Sequence, residues 1–218
     1  MSYQKIVGGE RSIKVEKTEA EHPDLMIRVF TLPACAMTCP NADKCIKGCY
    51  GKKGRMGCPT AHNAYMENLH MVMDNTLWRQ LDAELTVLEC QSKRTCRRLY
   101  IRVHAAGDFF CEDYARSWFT VMRMHPDITF YCYTKMVSMF HGFEDEGCIP
   151  SNLQYVFSRG GTEDHLIREE DRTSDVYIGA CPPGYVDGSQ DDYPAADPKV
   201  RRIALRYHGP KDCAFTTL

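Results

Sequence analysis

The chain has 218 residues, with 27 Lys and Arg against 29 Asp and Glu, a formal net charge of −2 at pH 7, and 44% hydrophobic residues. That is the composition of a folded domain with one core, and it supplies no broad positive field, which argues against a protein that coats nucleic acid through its phosphates. No run approaches the ~18 uninterrupted apolar residues of a membrane span, and Met1-Ser2-Tyr3-Gln4-Lys5 leads into charged sequence instead of an apolar signal core, so the expected setting is the cytoplasm.

Residues 1–22 are polar and rich in Glu and Lys, and they read as a loose arm or an edge hairpin ahead of a single α/β domain at 23–218. Apolar and β-branched density then rises from Leu25 to Leu32, which predicts a buried strand ending at Pro33 and delivering the chain into a cysteine-rich loop at 35–58. Pro59 and Thr60 open a helical region to about Cys90, with Leu77, Leu81, Leu85 and Leu88 at helical spacing and Asp74-Asn75 capping a second segment. Strands are expected at Tyr100–His104, Ile128–Tyr133, Leu153–Phe157, Val176–Ile178 and Arg202–Tyr207. Helices are expected at Glu112–Met124, stopped by Pro126, and in a short piece at Glu163–Glu170, while Gly184 to Pro198 reads as a surface loop. This alternation predicts an α/β fold, an open sheet or partial barrel with right-handed crossovers.

Cys35, Cys39, Cys45, Cys49 and Cys58 make five of the twelve cysteines, in the pattern C-x3-C-x5-C-x3-C-x8-C. Turn formers between them (Pro40, Asn41, Gly48, Gly51, Gly54) let the segment fold back and aim several sulfurs at one point, and in a reducing compartment clustered thiols read as metal ligands. Thiolates at x3 and x5 spacing suit an iron–sulfur cluster, with a four-thiolate zinc site from Cys35, Cys39, Cys45 and Cys49 as the alternative. Buried or redox-active thiols without a metal are the plainer account.

Phe30-Thr31-Leu32-Pro33-Ala34, then Thr38-Cys39-Pro40-Asn41-Ala42, Cys45 and Cys49-Tyr50, resemble the phage gene-product-eighty-eight family. The resemblance continues in order through Ile101–Phe110, Pro126-Asp127-Ile128, Thr129–Lys135 and Pro150–Leu153, over roughly residues 28–182. It implies a phage-encoded protein of the host cytoplasm more securely than any reaction. It covers Cys39, Cys45 and Cys49 and not Cys35, so the fourth ligand of a four-iron four-sulfur cluster is either Cys35, favoured by proximity, or a distant thiol such as Cys181. Family members often carry a second cysteine-rich stretch near the C-terminus, where this chain has only Cys181 and Cys213. The order of strand, cysteine loop, helix and strand is also similar, remotely, to radical SAM partial barrels. In those enzymes three cysteines leave one iron open to S-adenosylmethionine, whose methionine portion Gly107 and Asp108 would hold here.

The strand ending at His104 runs into Gly107-Asp108, and the carboxyl ends of strands face the ligand crevice in α/β folds. His104 and Asp108 are therefore candidate catalytic groups, against a reading of His104 as a hydrogen-bonded core residue and Asp108 as a helix cap. Phe109, Phe110, Tyr131 and Tyr133 are an aromatic group at the same end, and Lys52-Lys53-Gly54-Arg55 sets cations beside the cysteines, facing solvent or an acidic partner. No G-x-S-x-G elbow and no phosphate-binding G-x-x-x-x-G-K-[ST] loop is present. The first expectation is a cluster protein with a redox or structural role and a host redox or protein partner. A radical SAM-like enzyme and a zinc-stapled interaction module follow it.

Overall fold

Strands β1 (Leu25–Phe30), β2 (Arg98–Val103), β3 (Thr129–Thr134), β4 (Leu153–Ser158), β5 (Thr173–Tyr177), β6 (Val186–Asp187) and β7 (Arg202–Arg206) lie in the order β1-β2-β3-β4-β5-β7-β6. All neighbouring pairs are parallel. The computed structural model describes residues 6–7, 13–208 and 214–218. Parallel neighbours need long crossovers. Here these are α2 (Lys44–Lys47), α3 (Pro59–Met73) and α4 (Leu77–Thr95) between β1 and β2, α5 (Glu112–Met124) before β3, and α6 (Val137–Asp145) before β4. The expected α/β fold is the one observed, an open, curled sheet interleaved with helices.

Crossovers of one hand in sequential strand order put their helices on one side, the outer face. There Leu77, Leu81 and Leu85 of α4 and Tyr114, Ala115, Trp118, Phe119 and Met122 of α5 pack with Phe140 and Phe143 of α6 onto Phe30, Ile101, Val103, Phe130 and Cys132. α5 occupies the predicted span because its apolar positions recur at helical spacing and Glu112 and Asp113 favour its amino end. The long helical region breaks at Asp74–Thr76, where Asn75 takes φ +56. The inner face carries a second, smaller core in which Val15, Ala195 and Ala196 cover Ile27, Tyr100, Tyr131, Val156 and Ile203.

Three expectations give way. The N-terminal segment is neither a loose arm nor an edge hairpin where it is described: Ile13–Glu21 form helix α1, whose Val15 is fully buried, while residues 1–5 and 8–12 lie outside the described residues. The stretch from Gly184 to Pro198 is no surface loop, since it holds β6 and helix α7 (Tyr193–Ala196) and buries Asp192, Ala195 and Ala196. Glu163–Glu170 yields only a single tight turn at Asp164–Leu166. α6 is short and contains Gly142, which weakens its helical signal, yet Val137, Phe140 and Phe143 bury one face of it.

Candidate metal centre

The cysteine loop lies across the carboxyl ends of the first four strands. Thr38, fully buried, gives its hydroxyl to the Pro33 carbonyl and accepts the Asp108 amide at its own carbonyl, 2.7 Å, tying the loop to the turn after β2. Asn41 reaches the turn after β3 through Nδ2 on the Lys135 carbonyl at 3.3 Å. Its own carbonyl accepts the Thr162 amide at 3.0 Å, and Ala42 bridges Gly161 beyond β4. Gly161 is required at that crossing, since a Cβ there would stand 2.8 Å from the Asn41 carbonyl oxygen. Tyr50, next to Cys49, gives its hydroxyl to the Ala105 carbonyl and accepts Arg102 Nη2 at 3.2 Å.

Three thiols share one electrostatic environment. Burial pushes the Cys39 thiol up to about 11, with the Asp108 carboxylate and then Cys49 and Cys45 adding to the rise. Burial also raises Cys45, against the pull of the Lys135 ammonium and with Cys49 and Asp108 adding to it. Cys35 Sγ lies 3.5 Å from the Thr38 hydroxyl, which is also 3.9 Å from Cys39 Sγ; burial opposes its ionisation, but hydrogen bonds from Thr38 and the charge of Lys52 hold its thiol below the ordinary value. Cys181 follows β5, where burial and then Asp187 raise it. No described cysteine is in a disulfide, and Cys213 lies outside the described residues.

Four thiolates around zinc, each at about 2.3 Å, stand roughly 3.8 Å from one another. Among the described residues, three ligand atoms come within 4.8 Å of one another only at Glu21, His22 and Asp191, so the thiols are spread more widely than a zinc tetrahedron holds them.

Asp108 is buried beside these thiols, and its carboxylate is already engaged. Oδ1 accepts the Phe109 amide at 2.8 Å and the Thr134 hydroxyl at 2.7 Å, while Oδ2 accepts the Lys135 amide at 2.8 Å. It joins the ends of β2 and β3 instead of capping α5, whose cap residue is Cys111. Burial pushes its carboxyl above the usual carboxylate range, against the pull of these bonds. Gly107 supplies the turn at φ +85.

His104 points away from the thiols into the outer core. Its Nε2 is 2.8 Å from the Tyr114 hydroxyl and its ring packs on Phe109, Phe30 and Trp118, so burial lowers it to about 3 and keeps it neutral. The expected aromatic group divides: Phe109 and Phe110 belong to the outer core, Tyr131 and Tyr133 to the inner face.

A charged network on the inner face was not foreseen. Arg102 Nη1 meets both oxygens of fully buried Asp192 at 3.1 and 3.0 Å, Lys14 Nζ reaches Oδ1 at 2.6 Å, and the Tyr131 hydroxyl donates to Oδ2 at 2.8 Å. Burial works against ionisation of Asp192, yet Arg102 and Lys14 hold its carboxyl well below the usual range. Arg102 Nε, the Tyr133 hydroxyl and the Ser174 hydroxyl are buried here without a protein partner. Arg102 sits in the predicted strand at an inward position in register with Tyr131, which is the signal the alternation held.

The family model for Gene product 88 matches residues 5–216. The Gene 88 protein of Mycobacterium phage L5 is 31% identical over 106 residues, 45% of this chain and 43% of that protein, and the Gene 88 protein of Mycobacterium phage D29 is 28% identical over the same length and shares. The matched stretch thus spans well under half of either relative. No solved structure matches. No helix among the described residues is long and apolar enough to cross a membrane. With the family model matched from residue 5 to residue 216, the chain belongs to the Gene product 88 family.

Proposed function

We propose that Cys39, Cys45 and Cys49 hold a four-iron four-sulfur cluster at the carboxyl mouth of the sheet, with one iron free of protein thiolate. What supports this reading is that Cys39, Cys45 and Cys49 lie on one loop across the strand ends with Asp108 and Lys135, and that the family resemblance covers these three and not Cys35, which borders Cys39 at the Thr38 hydroxyl, 3.5 and 3.9 Å from the two sulfurs. From spacing alone a four-thiolate carrier or structural site ranks above an enzyme. Three grouped thiols on the loop after the first strand of a sequentially ordered parallel sheet support the opposite order, a radical SAM-like protein.

When bound, such a cluster supplies one-electron chemistry at an iron that accepts a ligand from solution. The chain's own contribution is placement and field. Lys135, whose Nζ holds the Ser158 and Arg159 carbonyls at 2.6 and 2.9 Å, keeps a positive charge toward Cys45 that offsets thiolate charge. Asp108 fixes the ends of β2 and β3 beneath the loop. Arg102 Nε, Tyr133 and Ser174 offer unpaired hydrogen-bonding groups to a small molecule on the inner face.

The test is anaerobic purification or reconstitution with iron and sulfide, followed by metal and sulfide analysis of single Cys→Ser variants. Cys39→Ser, Cys45→Ser and Cys49→Ser are expected to lose the cluster and Cys35→Ser and Cys181→Ser to keep it. S-adenosylmethionine is then expected to change the spectrum of the reduced protein and to yield methionine and 5′-deoxyadenosine. Loss of the cluster in Cys35→Ser returns the four-thiolate carrier, and stoichiometric zinc without iron overturns both.

A further inference from the structure

The loop that carries the thiols also carries a concentration of unpaired positive charge. Lys44, Lys47, Lys52, Lys53 and Arg55 are all exposed, fall within residues 44–55 around Cys45 and Cys49, and have no ion-pair partner among the described residues. Some exposed cations elsewhere are paired, Lys93 with Asp127 at 3.2 Å, Arg98 with Asp24 at 2.6 Å and Arg116 with Glu146 at 2.8 Å, and others such as Arg79 and Arg94 are not, among the described residues; the loop differs in setting five within twelve residues. Asp43 is the one acidic residue in the stretch 41–58, against a chain whose total charge is −2. Met37, between Cys35 and Cys39, is 57% exposed and adds an apolar contact at the same loop. An apolar centre with a charged rim is the usual build of a transient protein interface.

We propose that this segment is the docking surface for a small acidic one-electron carrier protein. It rests on the cluster reading above, because it names what reduces the cluster: the carrier gives up one electron, the cluster gains it, and no bond is made or broken. Opposite charge on the two partners steers encounter and brings the carrier's redox group to the loop that holds the thiols. A nucleic-acid strand fits less well, since the cations occupy one short loop and do not extend as a stripe along the molecule.

The experiment uses the full chain loaded with iron and sulfide, mixed in a stopped-flow instrument with a reduced flavodoxin of strongly acidic surface, with dithionite as the small-molecule control. Bleaching of the cluster by flavodoxin is expected to slow about ten-fold or more between low salt and 0.5 M salt, and by a similar factor in Lys47→Glu/Lys52→Glu/Lys53→Glu. Dithionite reduction of that variant is expected to match wild type at equal iron content.

Flavodoxin rates that ignore both salt and charge reversal overturn the proposal, as does salt-sensitive capture of single-stranded RNA by these lysines with salt-insensitive flavodoxin reduction. The salt series on the wild-type protein needs no variant, so it decides the matter if the triple substitution loses iron. A chain that takes up no iron fails the cluster reading itself. That outcome is separable, because metal analysis reports it before any carrier is added.

Discussion

On the outer face of the sheet Trp118, Phe119, Phe130, Phe140 and Phe143 close against one another with almost no exposure, while the inner face buries Asp192 between Arg102 and Lys14; buried polar atoms without partners occur on both, Trp118 Nε1 and His104 Nδ1 on the outer and Arg102 Nε with the Tyr133 and Ser174 hydroxyls on the inner. Apolar packing of the first kind is specified by shape and area. Buried charge of the second kind stabilises less than an apolar replacement of the same volume and persists where it holds something in place. Here it holds Tyr50 and through it the cysteine loop, so one face supports the fold and the other positions the loop.

The largest effects should come from breaking each face at its centre. Asp192→Ala leaves Arg102 and Lys14 buried without a counter-charge and is expected to cost about 3–5 kcal/mol in urea unfolding. Trp118→Ala, on the other face, should cost a similar ~3–5 kcal/mol through the cavity it leaves. The two differ in what survives. In the folded fraction, Trp118→Ala is expected to keep its iron and Asp192→Ala to lose part of it, because only the second loosens Tyr50. Equal iron content in both variants would show that the inner network does not support the loop.

Acidification sharpens the same contrast through His104, which belongs to the outer core although it stands at a strand end. Burial holds it neutral down to about 3, while an unfolded histidine titrates near 6.5. Between those values the unfolded chain takes up a proton that the folded chain refuses. Stability present above about pH 6.5 is therefore lost as the pH falls toward 3, on the order of 2 kcal/mol of it by pH 5. His104→Asn tolerates the φ of +65 at this position and should flatten that part of the slope. Urea titrations of both proteins at pH 7 and pH 5 read the difference, and the carboxylates common to the two cancel.

The outer face was the legible part of the sequence. Leu77, Leu81 and Leu85 and the Tyr114–Met122 stripe repeat at helical spacing, and each strand flanking them alternates or runs apolar, so strand and helix order followed from local pattern. The inner face was not, because its members are far apart in the chain: Lys14, Arg102 and Asp192 are ordinary exposed-looking charges until the sheet brings them together. Asp192 sits among Gly, Ser and Asp residues that read as loop, and Lys14 in a segment too polar to suggest that Val15 is buried. The cysteine spacing pointed to the loop, and the turn locked by Thr38 sets Cys35 near Lys52 and, across the Thr38 hydroxyl, near Cys39. Asn41 fastens the loop through its side-chain amide on the Lys135 carbonyl and through backbone contacts at Thr162 and Gly161, and a turn asparagine and a glycine are the only trace of this in residue type.

That glycine permits the smallest and most specific perturbation. Gly161 lies beyond β4, away from both hydrophobic cores, and an added methyl meets the Asn41 carbonyl oxygen at 2.8 Å and the Lys135 side chain at 3.1 Å. Gly161→Ala is therefore expected to cost about 1–2 kcal/mol of overall stability, in the range for overpacking a tight contact. Its effect on the loop should be larger in proportion, because the obstruction falls on the crossing that holds Asn41 and Ala42 over the strand ends. Slower cluster uptake and faster iron loss to a chelator are expected, with the circular dichroism of the fold unchanged. Gly142→Ala in α6, where a Cβ meets nothing within 4 Å, is the matched control and should leave iron retention as it is. If Gly161→Ala retains iron as well as that control does, the strap beyond β4 is dispensable, and the loop is held by Thr38 and Tyr50 at the ends of β1 and β2 alone.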